Sequence, residues 1–444
     1  MKLLNKTSFF DSIIIGSDNK MARVSKELKN ILEIFTEEDK IEEIEIETLE
    51  IDSEFIYDIK DNVLYMTEER ELSYVLHSLE SIILTVIFAI MANCNTFVQI
   101  HLFMIKHYEW LDKHIKFDNG LPSLSTIKRV VSFIEPKELE KLCCDSLKKY
   151  LKNNEPIYQK GDFVINDIKA MDGKTANSSD RKTSKQGEIN KMNAMSIFSV
   201  KNNYCEATEF ISDKTNEIPT GPELLKRINI ENCIITFDAM STQTKTIDYI
   251  VEKKAYYVAP VKGNQETLEK SIIEYFNDKK LYESAKSENY YEFKEKVHGT
   301  YEKREYIFTN DVSWLYNKEN WKGLKSIGMV TRTYLNSGNE KVTDTRYYIS
   351  NLDANNIDII SKSIRDEWAI ENQLHYYLDT VFMEDANSSF IKNTQKNLNI
   401  IRKFCLAVLK IFKSSTKLSM NSIRFNLSMD FENEIEKIIS ALYQ

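Results

Sequence analysis

The pattern of the chain changes near residue 162, where strand-like apolar runs replace a helical periodicity. Three short apolar runs follow one another closely, near 163–172, 192–200 and 204–211. After them, a helical stretch and a strand-like run alternate twice, and the last run covers 256–261. Closely spaced strands predict an antiparallel meander, and the alternation predicts strands joined by helices. The sequence therefore predicts an α/β domain built on a mixed sheet.

The segments on either side of this domain have different patterns. Residues 71–155 show helical periodicity, and Ser123 and Pro136 stand where helices typically begin. Residues 285–350 contain several strand-like runs and a hairpin signal at 336–339. Together these patterns predict a ribonuclease-H-like mixed-sheet core with a β-rich insertion, preceded by a helical N-terminal domain.

The chain has 444 residues, which leaves room for two or three domains. We expect an acidic N-terminal segment (1–70), the helical domain (71–155), the α/β domain with its insertion (156–412) and a helical C-terminal tail (413–444). The first segment alternates apolar and acidic residues, which fits either a half-exposed strand or a charged helix.

Charge is distributed unevenly along the chain. Residues 31–62 carry thirteen acidic residues and two lysines, so the negative charge of this segment alone exceeds the net charge of −9 of the whole chain. Residues 391–424 carry eight basic residues and no acid. This asymmetry permits a basic DNA-facing surface beside a separate acidic segment, although both runs could equally be solvated faces.

Cysteine usage and hydropathy indicate the cellular compartment. The six cysteines form no C-x-x-C pair, which predicts reduced thiols and neither a disulfide framework nor a zinc site. The longest apolar stretch, 82–92, is too short to span a bilayer. We therefore expect a cytoplasmic protein without a membrane partner.

Three carboxylates lie in surroundings that favour a metal site. Asp172 and Asp238 each follow an apolar strand-like run, and Glu371 shares an inward helical stripe with Trp368 and His375. A buried carboxylate is costly unless it is paired, hydrogen-bonded or bound to a cation. Acids from distant parts of the chain thus suggest a divalent-metal site, and an all-acid site suggests phosphoryl transfer on nucleic acid.

Each of these residues also has a purely structural interpretation. The pair Asp172–Gly173 is a common turn signal, and Glu371 could form a salt bridge with Arg365 or a lysine. His375, one helical turn beyond Glu371, could orient that carboxylate, contact phosphate or simply fill the core.

Further polar residues are candidates for contacts with DNA. Lys262 and Asn264 follow a predicted strand, where they could hold a phosphate or form an ordinary strand–helix turn. His298 and Arg304 in the β-rich segment are weaker candidates that fit structural roles as well.

The ordered set of motifs closely resembles the DDE transposases of the H-repeat-associated insertion-sequence family, over roughly residues 75–412. The matching motifs are Pro122-Ser123 with Thr126 and Arg129, Asp172-Gly173-Lys174-Thr175, Asp238-Ala239-Met240, Lys262-Gly263-Asn264-Gln265, His298-Gly299 with Glu302 and Arg304, and Trp368, Ile370-Glu371-Asn372, Leu374-His375, Leu378-Asp379, Phe382 and Glu384-Asp385.

The resemblance implies strand cleavage and strand transfer on double-stranded DNA, at the element's terminal inverted repeats and at target DNA. It implies Mg²⁺ or Mn²⁺, with two ions about 3.5–4 Å apart, on Asp172, Asp238 and Glu371. Asp172 would be shared between the ions. It also implies a homo-oligomer on DNA in a bacterial cytoplasm, at the nucleoid when acting. The residues expected to bind DNA or support the site are Lys174, Lys262, Asn264, His298, Arg304, Arg365 and His375.

The chain departs from the family pattern at several basic positions. Thr300 stands where the family usually has arginine, Ala176 and Asn177 replace more basic residues, and the segment after Glu384-Asp385 lacks the usual arginines. We expect an active transposase. The alternatives are a decayed or domesticated transposase that only binds DNA, and a metal-dependent nuclease without strand transfer.

Overall fold

The structure of the protein is a computed structural model. The residues it describes are 54–151, 155–176, 192–211, 217–297, 300–335, 340–384 and 393–443. The strand-or-helix alternatives for the acidic N-terminal alternation, the hairpin turn at 336–339 and the candidate His298 lie outside these ranges.

Six helices come first along the described chain. They are α1 (Glu54–Val63), α2 (Leu79–Met91), α3 (Phe97–Lys106), α4 (Tyr108–Ile115), α5 (Leu124–Phe133) and α6 (Pro136–Lys148). Both predicted helix starts are confirmed. The Ser123 hydroxyl accepts a hydrogen bond from the backbone N–H of Thr126 at 3.2 Å, and Pro136 stands in the first turn of α6.

Strands and helices then alternate as the sequence predicts. The first group is β1 (Tyr158–Lys160), β2 (Phe163–Ile165), β3 (Asp167–Ala176), β4 (Met192–Ser199), β5 (Tyr204–Ile211), α7 (Glu217–Leu225), β6 (Cys233–Phe237), α8 (Thr244–Glu252) and β7 (Tyr256–Val261). The second group is α9 (Glu266–Asn277), α10 (Lys279–Glu288), β8 (Tyr290–Val297), β9 (Thr300–Thr309), β10 (Ser326–Leu335) and β11 (Lys341–Ser350).

The last group is helical. It consists of α11 (Ile357–Asp366), a π-helical turn (Glu371–His375), α12 (Tyr376–Thr380), α13 (Thr394–Ser414), α14 (Met420–Met429) and α15 (Phe431–Ala441).

Nine strands form one mixed sheet in the order β5-β4-β3-β6-β7-β11-β10-β9-β8, and β1 pairs with β2. The strands β3, β4 and β5 form an antiparallel meander, whereas β6 runs parallel to both β3 and β7. This arrangement confirms the predicted ribonuclease-H-like core. The β-rich segment is also confirmed, and it extends the same sheet because β11 pairs with β7.

The C-terminal helices pack against the N-terminal helices in a shared apolar core. Phe404 of α13 stacks on Phe55 of α1, and Phe431 of α15 contacts both Phe88 and Trp110. Aromatic pairs of this kind add to the free energy gained by burial. The division of the chain at residues 70, 155 and 412 stays a prediction.

The basic run 391–424 does not form a continuous basic surface, so that expectation is wrong for half of its charges. Arg402, Lys403, Lys410 and Arg424 are buried. Polar groups replace water around them: the Lys403 ammonium, for example, donates to the hydroxyls of two buried side chains. Half of the charges of this run therefore face the protein interior, whereas Lys396, Lys413 and Lys417 are partly or fully exposed.

Two further expectations concern cysteines and membranes. All six cysteines lie in the described ranges and are free thiols. In those ranges, no helix combines the length and the apolar character needed to cross a bilayer.

Candidate active site

Asp172 and Asp238 occupy equivalent positions on neighbouring parallel strands. The last residue pair between β3 and β6 is Met171 with Phe237, and each aspartate is the next residue along its strand. Opposed residues on paired strands point to the same face, so both carboxylates leave the sheet on one side.

The interpretation of Asp172 as a turn residue is wrong. β3 continues beyond β6 because it stays paired with β4 as far as Ala176 opposite Met192. Asp172 is therefore an internal strand residue, whereas Asp238 follows the end of β6 as predicted.

Glu371 begins the π-helical turn that separates α11 from α12. The predicted inward stripe is only partly correct, because His375 and Leu378 are buried whereas the Glu371 side chain is 55% exposed and Trp368 is 51% exposed. A π turn carries more residues than an α turn, so the side chains before it and those after it do not share one 3.6-residue stripe. The Glu371 side chain therefore points towards solvent, whereas His375 points into the protein.

The carboxylates of Asp172 and Glu371 meet at the imidazole of His375. The His375 Nδ1 lies 3.0 Å from Glu371 Oε2 and 3.6 Å from Asp172 Oδ2. The potential ligand atoms of these three residues all lie within 4.8 Å of one another. Distant parts of the sequence therefore converge here, as the sequence predicts for Asp172 and Glu371.

His375 is a neutral side chain at pH 7. Burial lowers the pKa of its imidazole to about 4; the positive charges of Lys174 and Lys403 add to the decrease, and Glu371 opposes it. Because Nδ1 faces carboxylate oxygens, which only accept, the proton of the neutral ring lies on Nδ1. The 3.0 Å contact with Glu371 is therefore a hydrogen bond and not an ion pair, whereas the 3.6 Å separation from Asp172 is too long for a hydrogen bond.

Asp238 lies outside the group of atoms that meets at His375. Its Oδ1 accepts a hydrogen bond from the backbone N–H of Ser241 at 2.9 Å, which caps the turn after β6. The side-chain amide of Asn264 donates to the carbonyl of Ala239 at 2.6 Å and so fastens this turn to the end of β7. Asn264 thus supports the loop that carries Asp238.

Sequence reasoning missed a fourth acid, Glu367, at the end of α11. Burial raises the pKa of the Glu367 carboxyl to about 7. The negative charges of Asp238 and Asp172 add to this increase, while the positive charges of Arg346 and Lys262 oppose it. Glu367 therefore lies in the field of both strand acids, and its spacing of four residues before Glu371 was the available signal.

Lys174 forms ion pairs next to the site. Its ammonium contacts the Asp379 carboxylate and lies 3.0 Å from Glu384 Oε2. Burial by itself favours the neutral amine, but the charges of Glu384 and Asp379 outweigh it and raise the pKa of Lys174. This lysine links β3 to the segment after the π turn.

The other candidates have mixed positions. Lys262 is exposed, and its charge acts on Glu367. The Arg304 Nε lies 2.5 Å from Glu302 Oε1. The Arg365 guanidinium carbon lies 3.8 Å from the ring centre of Phe293. These two arginines lie away from the three-residue group and line a neighbouring cleft.

This cleft has a volume of about 350 Å³ and lies between the strands β9–β11 and α11 with the segment that follows it. Sequence reasoning missed Arg332 and Arg346, which also line the cleft. Arg332 is paired with Arg304 on β9, and Arg346 is paired with Val330, two residues before Arg332 on β10. The three arginines therefore project from the same face of the sheet. The exposed Trp368 also lines it, with the Arg346 guanidinium 5.9 Å from its ring centre. We call this the arginine cleft.

The chemistry of the site follows from its donors. Two carboxylates and an imidazole nitrogen at this spacing can hold a divalent cation, and further acids nearby increase the negative potential. The arginine cleft provides guanidinium groups that suit phosphate oxygens. Together they form an arrangement suited to chemistry on a phosphodiester.

Comparisons with known proteins place the sequence among related proteins. The pattern of the transposase DDE domain matches residues 160–408, and the pattern of the domain associated with it matches residues 63–145. YbfL of Escherichia coli K12 is 30% identical over 369 residues, which is 82% of this chain and 93% of YbfL. YhhI of the same strain, whose name links it to transposases and to the H repeat, is 29% identical with the same coverage.

A solved structure is also similar, at 13% identity and a TM-score of 0.35. It is the piggyBac transposase synaptic complex with hairpin DNA, and the match covers 88% of this chain and 79% of that chain. The match of the domain pattern over more than half of the chain shows the family: this chain belongs to the transposases with a DDE domain.

Proposed function

We propose that the protein is a DNA transposase that catalyses metal-dependent strand cleavage and strand transfer at the ends of an insertion sequence. The observation that carries the proposal is the meeting of Asp172, from the centre of the sheet, with Glu371, from the C-terminal helical region. Asp238 stands beside Asp172 on the next strand, so all three acids open to one side of the sheet.

Asp172, Asp238 and Glu371 would hold Mg²⁺ or Mn²⁺, in the two-ion arrangement typical of phosphoryl transfer. The residues fit such ions, because carboxylate oxygens are the preferred ligands of hard cations. When bound, the ions supply activation of the attacking water or 3′-hydroxyl and charge stabilisation at the leaving oxygen. Asp172 meets Glu371 at His375 and occupies the strand position next to that of Asp238, so it is the residue we assign to both ions.

The remaining residues position the acids and the DNA. His375 contacts Glu371 and Asp172 from the protein side. Lys174 ties β3 to Glu384, after the π turn, and Asn264 holds the turn that carries Asp238. The arginine cleft opens beside the acids, which suits binding of the DNA backbone along β9–β11. The partner is double-stranded DNA carrying the element's inverted repeats, bound by a homo-oligomer that bridges two ends.

The test is cleavage of a duplex that carries an element end, with Mg²⁺ or Mn²⁺. Asp172→Ala, Asp238→Ala and Glu371→Gln should each reduce the cleavage rate by at least about 10³-fold, because each removes a ligand oxygen needed in the transition state. Binding to the same duplex without metal should stay within about threefold of the wild type. Asp248→Ala, in a partly exposed acid of α8, serves as the matched control and should cut normally.

Normal cutting by any one of the three variants would remove that residue from the site. Binding without cutting by the wild type would favour the decayed or domesticated DNA-binding protein. Cutting without joined products would favour a nuclease that lacks strand transfer.

A further inference from the structure

The position between Asp172 and Glu371 contains a nitrogen donor as well as oxygens. Cis ligands of an octahedral ion with bonds of about 2.1 Å lie about 3 Å apart. The separations of 3.0 Å and 3.6 Å from His375 Nδ1 to the two carboxylate oxygens are close to this spacing. All three donor atoms lie within 4.8 Å of one another, so a single ion could reach them after small side-chain movements.

The two sides of the imidazole ring have different surroundings. The ring is 3% exposed, and its Nε2 is buried without a hydrogen-bond partner among the described residues. A small cavity borders His375 and is lined by the oxygen-bearing side chains of Ser196, Glu384 and Asn399 and by the ammonium-bearing Lys174 and Lys403. A ligating histidine usually donates its other N–H to such an oxygen, which fixes the ring for coordination.

The site is open on the side where an ion would enter. Glu371 is exposed and Asp172 is half-buried, whereas His375 forms the closed floor. This combination of a buried nitrogen and accessible carboxylates is typical of a site that takes an ion from solvent while its protein ligand stays fixed.

We infer that His375 is a metal ligand through Nδ1, so that the Asp172–Glu371 position is a mixed oxygen–nitrogen site that prefers Mn²⁺ to Mg²⁺. Coordination requires the lone pair of Nδ1, so the single proton of the neutral ring moves to Nε2. The preference follows because a nitrogen ligand suits first-row transition ions better than Mg²⁺, which prefers oxygen. This inference rests on the proposed function, since it concerns an ion of the same site.

The experiment is pulsed electron paramagnetic resonance of Mn²⁺ bound to the full-length protein. A directly bound imidazole gives a ¹⁴N coupling, which should change to the ¹⁵N pattern when the protein is made with ¹⁵N-labelled histidine. Asp172→Ala should abolish the coupling, since the ion then loses a second ligand of the same position. This measurement on the wild type does not depend on the folding of a histidine variant.

Metal-binding affinities of variants provide a second test. His375→Gln should weaken Mn²⁺ binding by about 10- to 100-fold and Mg²⁺ binding by less than about threefold. The control is His101→Gln, in a partly exposed histidine of α3, which should leave both affinities unchanged. Thermal melting would show that both variants are folded.

The outcomes separate this inference from the proposed function. Bound Mn²⁺ without histidine coupling, no bound Mn²⁺, or equal loss of both ions in His375→Gln overturns the assignment of His375, even if the wild type cleaves DNA. Loss of the proposed function requires a different result, namely normal cleavage by Asp172→Ala or none by the wild type.

Discussion

Single residues around the site differ in how well their charges are compensated. Lys174 has two carboxylate partners, whereas Glu367 lies near the charges of Asp172 and Asp238. Burial and these like charges hold the pKa of Glu367 near 7, so its ionisation above that pH opposes folding of the metal-free protein. The site therefore accumulates negative charge that a bound cation would offset.

The change Glu367→Gln should make the metal-free protein more stable at pH 8. In the wild type, the folded state keeps a proton on Glu367 between pH 4.5 and about 7 while the unfolded state has lost it. The free energy of unfolding contributed by this group therefore falls as pH rises through this window. We expect the variant to gain on the order of 2 kcal/mol at pH 8 and to lose this advantage near pH 4, measured by urea denaturation.

The matched control is Glu283→Gln, in an exposed acid of α10, whose stability relative to the wild type should be independent of pH. A constant difference between Glu367→Gln and the wild type from pH 4 to pH 8 would contradict the raised pKa.

The sequence predicted residues whose chemistry is visible in their neighbours, but not those that depend on tertiary contacts. Asp238 was correctly placed at a strand end, because its apolar run ends there. The partner of Lys174, Glu384, is 210 residues away along the chain. The negative charges that act on Glu367 come from Asp172 and Asp238, on two different strands of the sheet. Such contacts leave no local periodicity, and the only sequence signal among them is the four-residue spacing of Glu367 from Glu371.

Among the elements, the π turn at Glu371–His375 is the most unusual. The backbone N–H of Tyr376 donates to the carbonyl of Glu371, five residues earlier. The buried Lys410 ammonium of α13 donates to the carbonyl of Gln373 at 2.5 Å and to Asn203 Oδ1 at 2.6 Å. Lys410 thus fixes the turn from behind, although burial lowers its pKa to about 7.

The change Lys410→Met should impair the positioning of Glu371 more than it changes stability. It keeps the apolar stem but removes the donor to Gln373, while it also removes the cost of burying an ammonium. We expect at least a tenfold loss of cleavage and of Mn²⁺ affinity, with the free energy of unfolding at pH 7 changed by less than about 2 kcal/mol. Lys413→Met, in a partly exposed lysine of the same helix, should affect neither activity nor Mn²⁺ binding.

A large fall in stability with unchanged Mn²⁺ affinity would show that Lys410 only fills the core. Lys410→Arg, which retains a cationic donor, should recover part of the activity if the contact with Gln373 is what matters.

Elements with clear periodicity were predicted well, and the exceptions have physical reasons. β6 was placed at Cys233–Phe237, because five consecutive buried residues lie between polar flanks. The π turn was not predicted, since a helical stripe assumes 3.6 residues per turn throughout. The basic run permits either a DNA-facing surface or a solvated face, whereas half of its cations in α13 and α14 are buried, because composition does not reveal which polar groups will surround a charge.

At the scale of the whole molecule, the acids and the arginine cleft belong to different parts of one sheet. The strands β3 and β6 carry two acids, whereas β9, β10 and β11 carry the arginines, and α11 with the following turn lies between them. A DNA strand that lies along β9–β11 would lead directly to the acids. The net charge of −9 does not prevent this, because four arginines against three acids line the cleft.

The strongest test at this scale is the salt dependence of DNA binding by Arg332→Ala and Arg346→Ala. If each guanidinium neutralises one phosphate, each change should weaken binding at 0.1 M salt and reduce the slope of log affinity against log salt by about one. Lys280→Ala, in an exposed lysine of α10, is the control and should leave the slope unchanged. Metal-free conditions separate this binding from the chemistry of the acids. Unaltered slopes in both arginine variants, with folding intact, would mean that the DNA approaches the acids from another side, and the cleft would then serve only to hold the β-rich segment against α11.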